Sequence, residues 1–147
     1  MSKGIRRVVT GLNAEGKSAV LFDDRKGQGV LWHSPTLPAD NSGSDDAGAM
    51  EFSFDLFHSP GSTFLVAEMA PGDAASSFVH ATDTLDYVVV LKGRVELVLE
   101  ACTVELGAGD CIVDRGVMHA WRGVGDEPAL IAVVLTPAKP VGKGATV

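Results

Sequence analysis

The sequence HATDTLDYVVVLKG, residues 80–93, has the most informative pattern in the chain. Side chains of an extended strand alternate between its two faces, so His80 and Asp86 would share one face. The two threonines at the alternate positions between them would lie on that face too, and it continues into Val88 and Val90. Polar side chains that lead into apolar ones on one face predict a strand that lines an interior pocket.

A second segment, GDCIVDRGVMHAW at residues 109–121, supplies another histidine in a strand context. His119 follows a glycine-containing turn, and Trp121 shares its face if the segment is extended. A barrel that brings the two segments together would place His80, Asp86 and His119 around one point. Two imidazoles and a carboxylate suit a divalent transition metal such as zinc, iron, manganese or nickel, and they leave coordination positions open.

Two other interpretations of these three residues stay open. In one, the pocket works without a metal, and His119 with Asp86 serves in acid–base chemistry. In the other, the three side chains form a hydrogen-bonded network with a purely structural role. His58 precedes a Ser-Pro-Gly turn and is expected at the surface rather than among these residues.

Short apolar runs bounded by Gly, Pro, Asn or Asp recur along the whole chain. The turn signals return about every 8–12 residues with no helical stripe between them, which is typical of a β-sandwich or barrel. The first two runs predict a hairpin. The predicted strands lie at residues 7–10, 18–22, 30–34, 63–69, 85–91, 94–100, 103–106, 111–113 and 129–135.

The length of 147 residues predicts a single domain over residues 1–147. Within it we expect N-terminal strands at about 4–34, a polar loop at about 35–50, a core barrel at about 51–136 and a loose tail at 137–147. The loop is rich in Asp, Ser, Gly and Ala, a composition typical of exposed connections.

Composition excludes several classes of partner. The net charge is −7 and no basic patch is present, so nucleic acid is not an expected ligand. No apolar run approaches the roughly 20 residues that cross a bilayer, and no signal peptide opens the chain, so we expect a cytoplasmic protein without membrane contact. Cys102 and Cys111 form no CxxC pair, which excludes a zinc ribbon and a thioredoxin-like site, and they are expected to be reduced thiols.

The two segments resemble the paired motifs of the cupin superfamily. The first motif's leading histidine, acid and turn glycine are matched by His80, Asp86 and Gly93, and the second motif's glycine, turn and histidine by Gly109-Asp110, Gly116 and His119. Thr82 stands where the first motif has its second histidine, and Asp86 replaces the usual glutamate. The resemblance implies an all-β fold, a double-stranded β-helix or jelly-roll barrel, with a small molecule bound in its mouth.

The resemblance also implies a function. The chain would be a small-molecule enzyme, dependent on a divalent metal held by His80, Asp86 and His119, which would also be the catalytic residues. The reaction would be that of a lyase, isomerase, decarboxylase or dioxygenase, with Trp121, Thr82 and Arg115 contacting substrate. The alternative is a non-catalytic ligand-binding or sensor protein with a degenerate metal site. Small cupins often pair through a sheet face, so a homodimer is expected.

Overall fold

The computed structural model of the protein describes residues 3–72, 78–141 and 146–147. Over these residues the chain is built from antiparallel strands, with one short 3₁₀ turn at Phe54–His58. All nine predicted strands are present, and His119 opens a further one. The strands are β1 (Ile5–Leu12), β2 (Ser18–Lys26), β3 (Gly29–Ser34), β4 (Ser62–Met69), β5 (Thr84–Lys92), β6 (Arg94–Leu99), β7 (Thr103–Gly107), β8 (Cys111–Asp114), β9 (His119–Val124) and β10 (Ala129–Pro137).

Two sheets form the barrel. One has five strands in the order β3-β4-β10-β5-β8, and the other has three in the order β7-β6-β9. The predicted hairpin forms a separate two-stranded sheet from β1 and β2. This arrangement confirms the prediction of an all-β jelly-roll barrel.

The two barrel sheets are joined along one side by short backbone bridges. His80 and His119 each donate a backbone hydrogen bond of 2.9 Å to the other. Further along β9, Gly123 donates a 2.9 Å hydrogen bond to the carbonyl of Ala70. A Cβ atom at Gly123 would lie 2.4 Å from the Met69 carbonyl oxygen, so this approach requires glycine. These bridges form a seam between the two sheets, and the seam places both histidines of the predicted site side by side.

The core has two parts, and β10 contributes to both. The alternate residues Ile131, Val133 and Leu135 pack with β4, β5 and β6 in the barrel interior. The intervening residues Leu130 and Ala132 pack on the other face with residues of β3 and β4. Both faces of β10 are thus covered, which explains why its sequence is continuously apolar rather than alternating.

The N-terminal hairpin is attached to the barrel by a buried arginine. The guanidinium of Arg7 donates to the carboxylates of Asp24 and Asp46 and to the carbonyl of Leu31, at 2.6–3.0 Å. Its side chain is 5% exposed. Asp46 belongs to the predicted polar loop, which contains no strand. Arg7 therefore holds together the hairpin, β3 and the loop.

Two described residues of the predicted tail, Ala138 and Val147, make backbone hydrogen bonds to the chain before β5. β10 continues to Pro137, Ala138 N donates to the carbonyl of Asp83 at 2.9 Å, and Val147 N donates to the carbonyl of Ala81 at 3.0 Å. The chain just before β5 thus provides the backbone partners of these two residues. Residues 142–145 lie outside the described part of the chain.

Two further sequence expectations concern the chain as a whole. Cys102 and Cys111 are both exposed free thiols, as expected. In the part of the chain that the structure describes, no helix has the length and apolarity needed to cross a membrane.

Candidate functional site

The barrel contains a cavity of about 790 Å³. Its wall is apolar, formed by inward-facing residues of β4 and β10, and its inner end is polar. The outer part is lined by the β2–β3 turn and by residues 50–57, which include three phenylalanines. A concave, mainly apolar space with a few polar groups at one end is the usual form of a small-molecule site.

The structure brings five of the six predicted site residues to this cavity, namely His80, Thr82, Asp86, His119 and Trp121. The sixth, Arg115, is exposed and is not among the residues that line the cavity. The reason is strand alternation, because Asp114 points into the barrel and the next side chain turns outward. The predicted substrate contact by Arg115 is therefore not supported by its position.

His119 is the more deeply buried of the two cavity histidines, with 3% of its surface exposed. Its Nδ1 lies 2.8 Å from the carbonyl oxygen of Val117 and 3.1 Å from Asp114 Oδ2. The ring N–H is directed at the carbonyl, and Asp114 Oδ2 accepts no hydrogen bond from the described residues. Nδ1 must therefore carry the hydrogen, and Nε2 is the ring nitrogen with a free lone pair.

His80 lies beside His119, with 4.5 Å between the ring centroids. Its Nδ1 is 3.2 Å from the Phe78 carbonyl, and its ring stacks on that of Phe78 with a centroid separation of 4.4 Å. Burial lowers the pKa of His80, and the nearby His119 lowers it further, against the opposing effects of the Phe78 carbonyl and Asp114. His80 is thus kept in the neutral form at neutral pH.

Asp86 ends a chain of hydroxyl groups on the same face. Thr82 Oγ1 is 2.6 Å from Thr84 Oγ1, and Thr84 Oγ1 donates to Asp86 Oδ1 at 2.6 Å. Burial raises the pKa of Asp86 to about 6, with a further increase from the charge of Asp114, while the Thr84 hydrogen bond and His119 oppose it. A carboxyl group in this state can give or take a proton near neutral pH.

Asp114 is a site residue that the sequence analysis missed. It pairs with Asp86 across β5 and β8, is 5% exposed, and lies behind His119. Asp114 begins the glycine-containing turn that precedes His119, where Gly116 N donates to Asp114 Oδ1. The signal that could have identified Asp114 is its spacing of two from Ile112, which faces the core.

The donor set does not fit the predicted metal centre. In the described residues, no group of three or more His, Cys, Asp or Glu side chains is placed to hold one ion. Thr82 occupies the position of a further ligand, and its hydroxyl is bonded to Thr84. Asp86 accepts a hydrogen bond from Thr84 and lies opposite Asp114 on the neighbouring strand. Of the three predicted ligands, the two imidazoles lie side by side. Divalent transition metals at protein sites usually have three or four side-chain ligands.

Comparison with known proteins agrees with this architecture. Residues 65–135 match the Cupin domain family. The cupin domain of Schizosaccharomyces pombe Cnp3 has a TM-score of 0.51 and 15% sequence identity, and the match covers 90% of this chain and 87% of that one. This similarity concerns the fold alone.

Two kinds of curated relatives are similar in sequence. The cupin-domain-containing oxidoreductase srdD of Neurospora crassa is 29% identical over 157 residues, which cover 94% of this chain and 79% of that protein. Phomopsin biosynthesis cluster protein D of Diaporthe leptostromiformis is 38% identical over 68 residues, which cover 46% of this chain. The match spans only 35% of that protein, about a third of its length. The motifs and the barrel agree with the similarity of residues 65–135 to the Cupin domain family.

Proposed function

We propose that the chain is a small-molecule enzyme in which His119, supported by Asp114, transfers a proton at the inner end of the cavity. The observation that carries this proposal is the buried His119–Asp114 pair. The Nδ1 hydrogen of His119 is donated to the Val117 carbonyl, which fixes the tautomer, and Asp114 Oδ2 lies 3.1 Å from the same nitrogen. Nε2 is then the basic nitrogen, on a residue that lines the cavity.

The proposed proton transfer uses His119, Asp114 and Asp86. Nε2 of His119 accepts a proton from an O–H or an activated C–H of the substrate, and the imidazole becomes an imidazolium. The unpaired oxygen of Asp114 stabilises that positive charge, since a buried carboxylate oxygen without a partner is costly. Asp86, with its raised pKa, supplies or stores the second proton. Return of the proton to a different substrate carbon completes an isomerisation, whereas its delivery to a hydroxyl leaving group, with cleavage of that C–O bond and release of water, completes an elimination.

Sequence relatives support an enzymatic role. Three cupin-domain-containing proteins named as oxidoreductases are 27–29% identical to this chain over more than nine-tenths of its length. Removal of a hydroxyl proton by His119 would be the contribution of the protein to such an oxidation as well. Lyase or isomerase chemistry needs only proton transfer, which the residues around the cavity can supply. An oxidation would need further groups.

The test is deuterium exchange in D₂O, followed by NMR on a panel of small carbonyl compounds. Wild-type protein is expected to exchange the hydrogens next to the carbonyl of a compound that binds. His119→Ala should lower the rate about 100-fold or more, and Asp114→Asn about tenfold or more. His58→Ala, at an exposed position outside the cavity, is the matched control. Unchanged exchange by His119→Ala, or its abolition by a chelator in the wild type, would refute the proposal.

A second candidate function is ligand binding without turnover. Thr82 favours it, because its hydroxyl is tied to Thr84 where a catalytic or metal-binding histidine would otherwise lie. This candidate predicts that a compound binds with equal affinity to wild-type protein and to Asp114→Asn, with no exchange in either. Calorimetry on the two proteins distinguishes the candidates.

A further inference from the structure

We infer that the cavity binds a planar aromatic molecule that carries a hydroxyl or another hydrogen-bond donor. The ring would lie against the phenylalanines of the outer cavity, and the donor would point to the histidines at the inner end. This inference names the substrate class of the site proposed above and rests on that proposal for the place where the reacting group lies.

The first observation is a continuous row of aromatic rings that leads from residues 52–57 to the histidines, and all of these rings except Phe78 line the cavity. Four of the six phenylalanines of the chain belong to it. Neighbouring ring centroids are 4.4–6.3 Å apart, within the range of aromatic contacts. The row consists of Phe52, Phe54 and Phe57, which contact one another, followed by Phe78, His80, His119 and Trp121.

The second observation is that the outer rings of this row are not part of the core. Phe52, Phe54 and Phe78 are 43%, 51% and 50% exposed. The ring plane of Phe54 makes an angle of 71° with that of Phe52 and 64° with that of Phe78, so these pairs are in edge-to-face contact. Adjacent exposed aromatic side chains beside a cavity mark a binding surface. A flat ring covers such a surface better than an aliphatic chain, because it adds stacking and edge contacts to the burial of apolar area.

The third observation is that Thr82, His80 and His119 present hydrogen-bond acceptors to the cavity. Thr84 gives its hydrogen to Asp86, so the hydrogen in the Thr82–Thr84 contact must come from Thr82. Thr82 therefore presents lone pairs alone. His80 and His119 each place Nδ1 against a carbonyl oxygen, which leaves Nε2 as an acceptor on both rings.

This arrangement selects for a donor on the ligand. A hydroxyl group can donate to Nε2 of His119, whereas an ether cannot donate at all. A carboxylate would add a further acceptor and a negative charge next to Asp86 and the buried Asp114. Both would leave polar groups of the site without partners, which costs binding affinity.

Calorimetry with four probes of one carbon skeleton tests the inference. The probes are 2-naphthol, its saturated analogue decahydro-2-naphthol, its methyl ether 2-methoxynaphthalene, and 2-naphthoate. We expect 2-naphthol to bind at least about tenfold more tightly than each of the others. Equal binding of the saturated alcohol would overturn the aromatic part. Equal or tighter binding of the ether or the carboxylate would overturn the donor part, and no binding of 2-naphthol at millimolar concentration would overturn both.

Two variants connect the preference to the aromatic row. Phe54→Leu removes the ring that contacts Phe52, Phe57 and Phe78, and it should weaken 2-naphthol about tenfold while decahydro-2-naphthol is unaffected. Phe64→Leu is the matched control, since Phe64 is 41% exposed on β4 and does not line the cavity. Equal effects of the two variants would contradict the inference.

The outcomes separate this inference from the proposed function. If proton exchange fails but 2-naphthol keeps its advantage over the other probes, only the proposed enzymatic role is refuted. If exchange depends on His119 but the four probes bind alike, only the substrate class is refuted. Displacement of 2-naphthol by Zn²⁺ at micromolar concentration would overturn the inference, because the acceptors would then serve a cation.

Discussion

Asp86 and Asp114 face each other across neighbouring strands, in a position where two charged carboxylates would repel. Burial of Asp86, and to a smaller extent the charge of Asp114, favours its protonated form in the folded state, so that its pKa rises to about 6. The folded protein thus binds this proton more tightly than the unfolded chain. The stabilising contribution of Asp86 is present below about pH 4 and is lost as the pH rises through about 6.

Replacement of Asp86 by asparagine removes this titration and keeps an oxygen to accept the Thr84 hydrogen bond. Between pH 4 and pH 7, wild-type protein should lose on the order of 2 kcal/mol of unfolding free energy relative to Asp86→Asn. Urea unfolding of both proteins at the two pH values measures the difference. A wild-type stability that rises relative to the variant over this interval would contradict the assigned direction.

Strand alternation was enough to predict which residues come together at this site. His80, Asp86, His119 and Trp121 all reach the cavity, because two-residue periodicity and the barrel topology determine their faces. The contacts of those residues could not be predicted, since they depend on the register between strands distant in sequence. The partner of His119 comes from β8 and was missed, and Arg115, one residue further, points outward.

At the scale of elements, the hairpin of β1 and β2 depends on Arg7. This arginine is buried, and the neighbouring Asp46 has its pKa lowered to about 2, chiefly by the hydrogen bond from Arg7. Arg7→Met should destabilise the protein by about 2–4 kcal/mol, because Asp24, Asp46 and the Leu31 carbonyl lose their shared donor.

Arg6→Met is the matched control for this prediction. Arg6 also makes a bidentate pair with an aspartate of β2, Asp23, but its side chain is 64% exposed. Exposed pairs contribute little to stability, so this variant should leave the urea midpoint nearly unchanged. Equal loss of stability in both variants would show that burial of Arg7 is not what matters.

Element boundaries were predictable where the pattern was long and regular, as in β4, β5 and β10. The 3₁₀ turn at Phe54–His58 was not predicted. It is a single turn, begun by the Ser53 hydroxyl that accepts from Asp55 N, and so short a segment carries no helical periodicity. Its importance for the cavity comes from tertiary packing of Phe54 and Phe57, which a local pattern does not contain.

At the scale of the whole molecule, closure of the barrel depends on the contact between Gly123 and the end of β4. Gly123→Ala should destabilise the protein by on the order of 2 kcal/mol, because the new methyl group would overlap the Met69 carbonyl. Gly107→Ala is the control, since its Cβ would lie 4.0 Å from the nearest atom, on Asp110. The thermal unfolding temperatures of the two variants test this prediction. Equal temperatures would show that closure of the barrel does not depend on the close approach at Gly123.

The barrel, and the similarity of residues 65–135 to the Cupin domain family, could be predicted from two short motifs, because turn glycines and alternating strands recur in a fixed order. A metal-binding site could not be predicted in the same way, because it requires the ligand atoms to lie within about an ångström of the right positions, which the motifs do not determine. The homodimer and the cytoplasmic location stay predictions of the sequence.

The double coverage of β10 has a consequence for how this protein can evolve. Residues 131, 133 and 135 line the cavity, whereas residues 130 and 132 pack in the second cluster of the core. Neighbouring codons therefore control separate properties. Residues 131, 133 and 135 set the size of the cavity, and residues 130 and 132 set the packing of the second core cluster. Selection can alter ligand preference through every second position of one strand while the intervening positions preserve the scaffold.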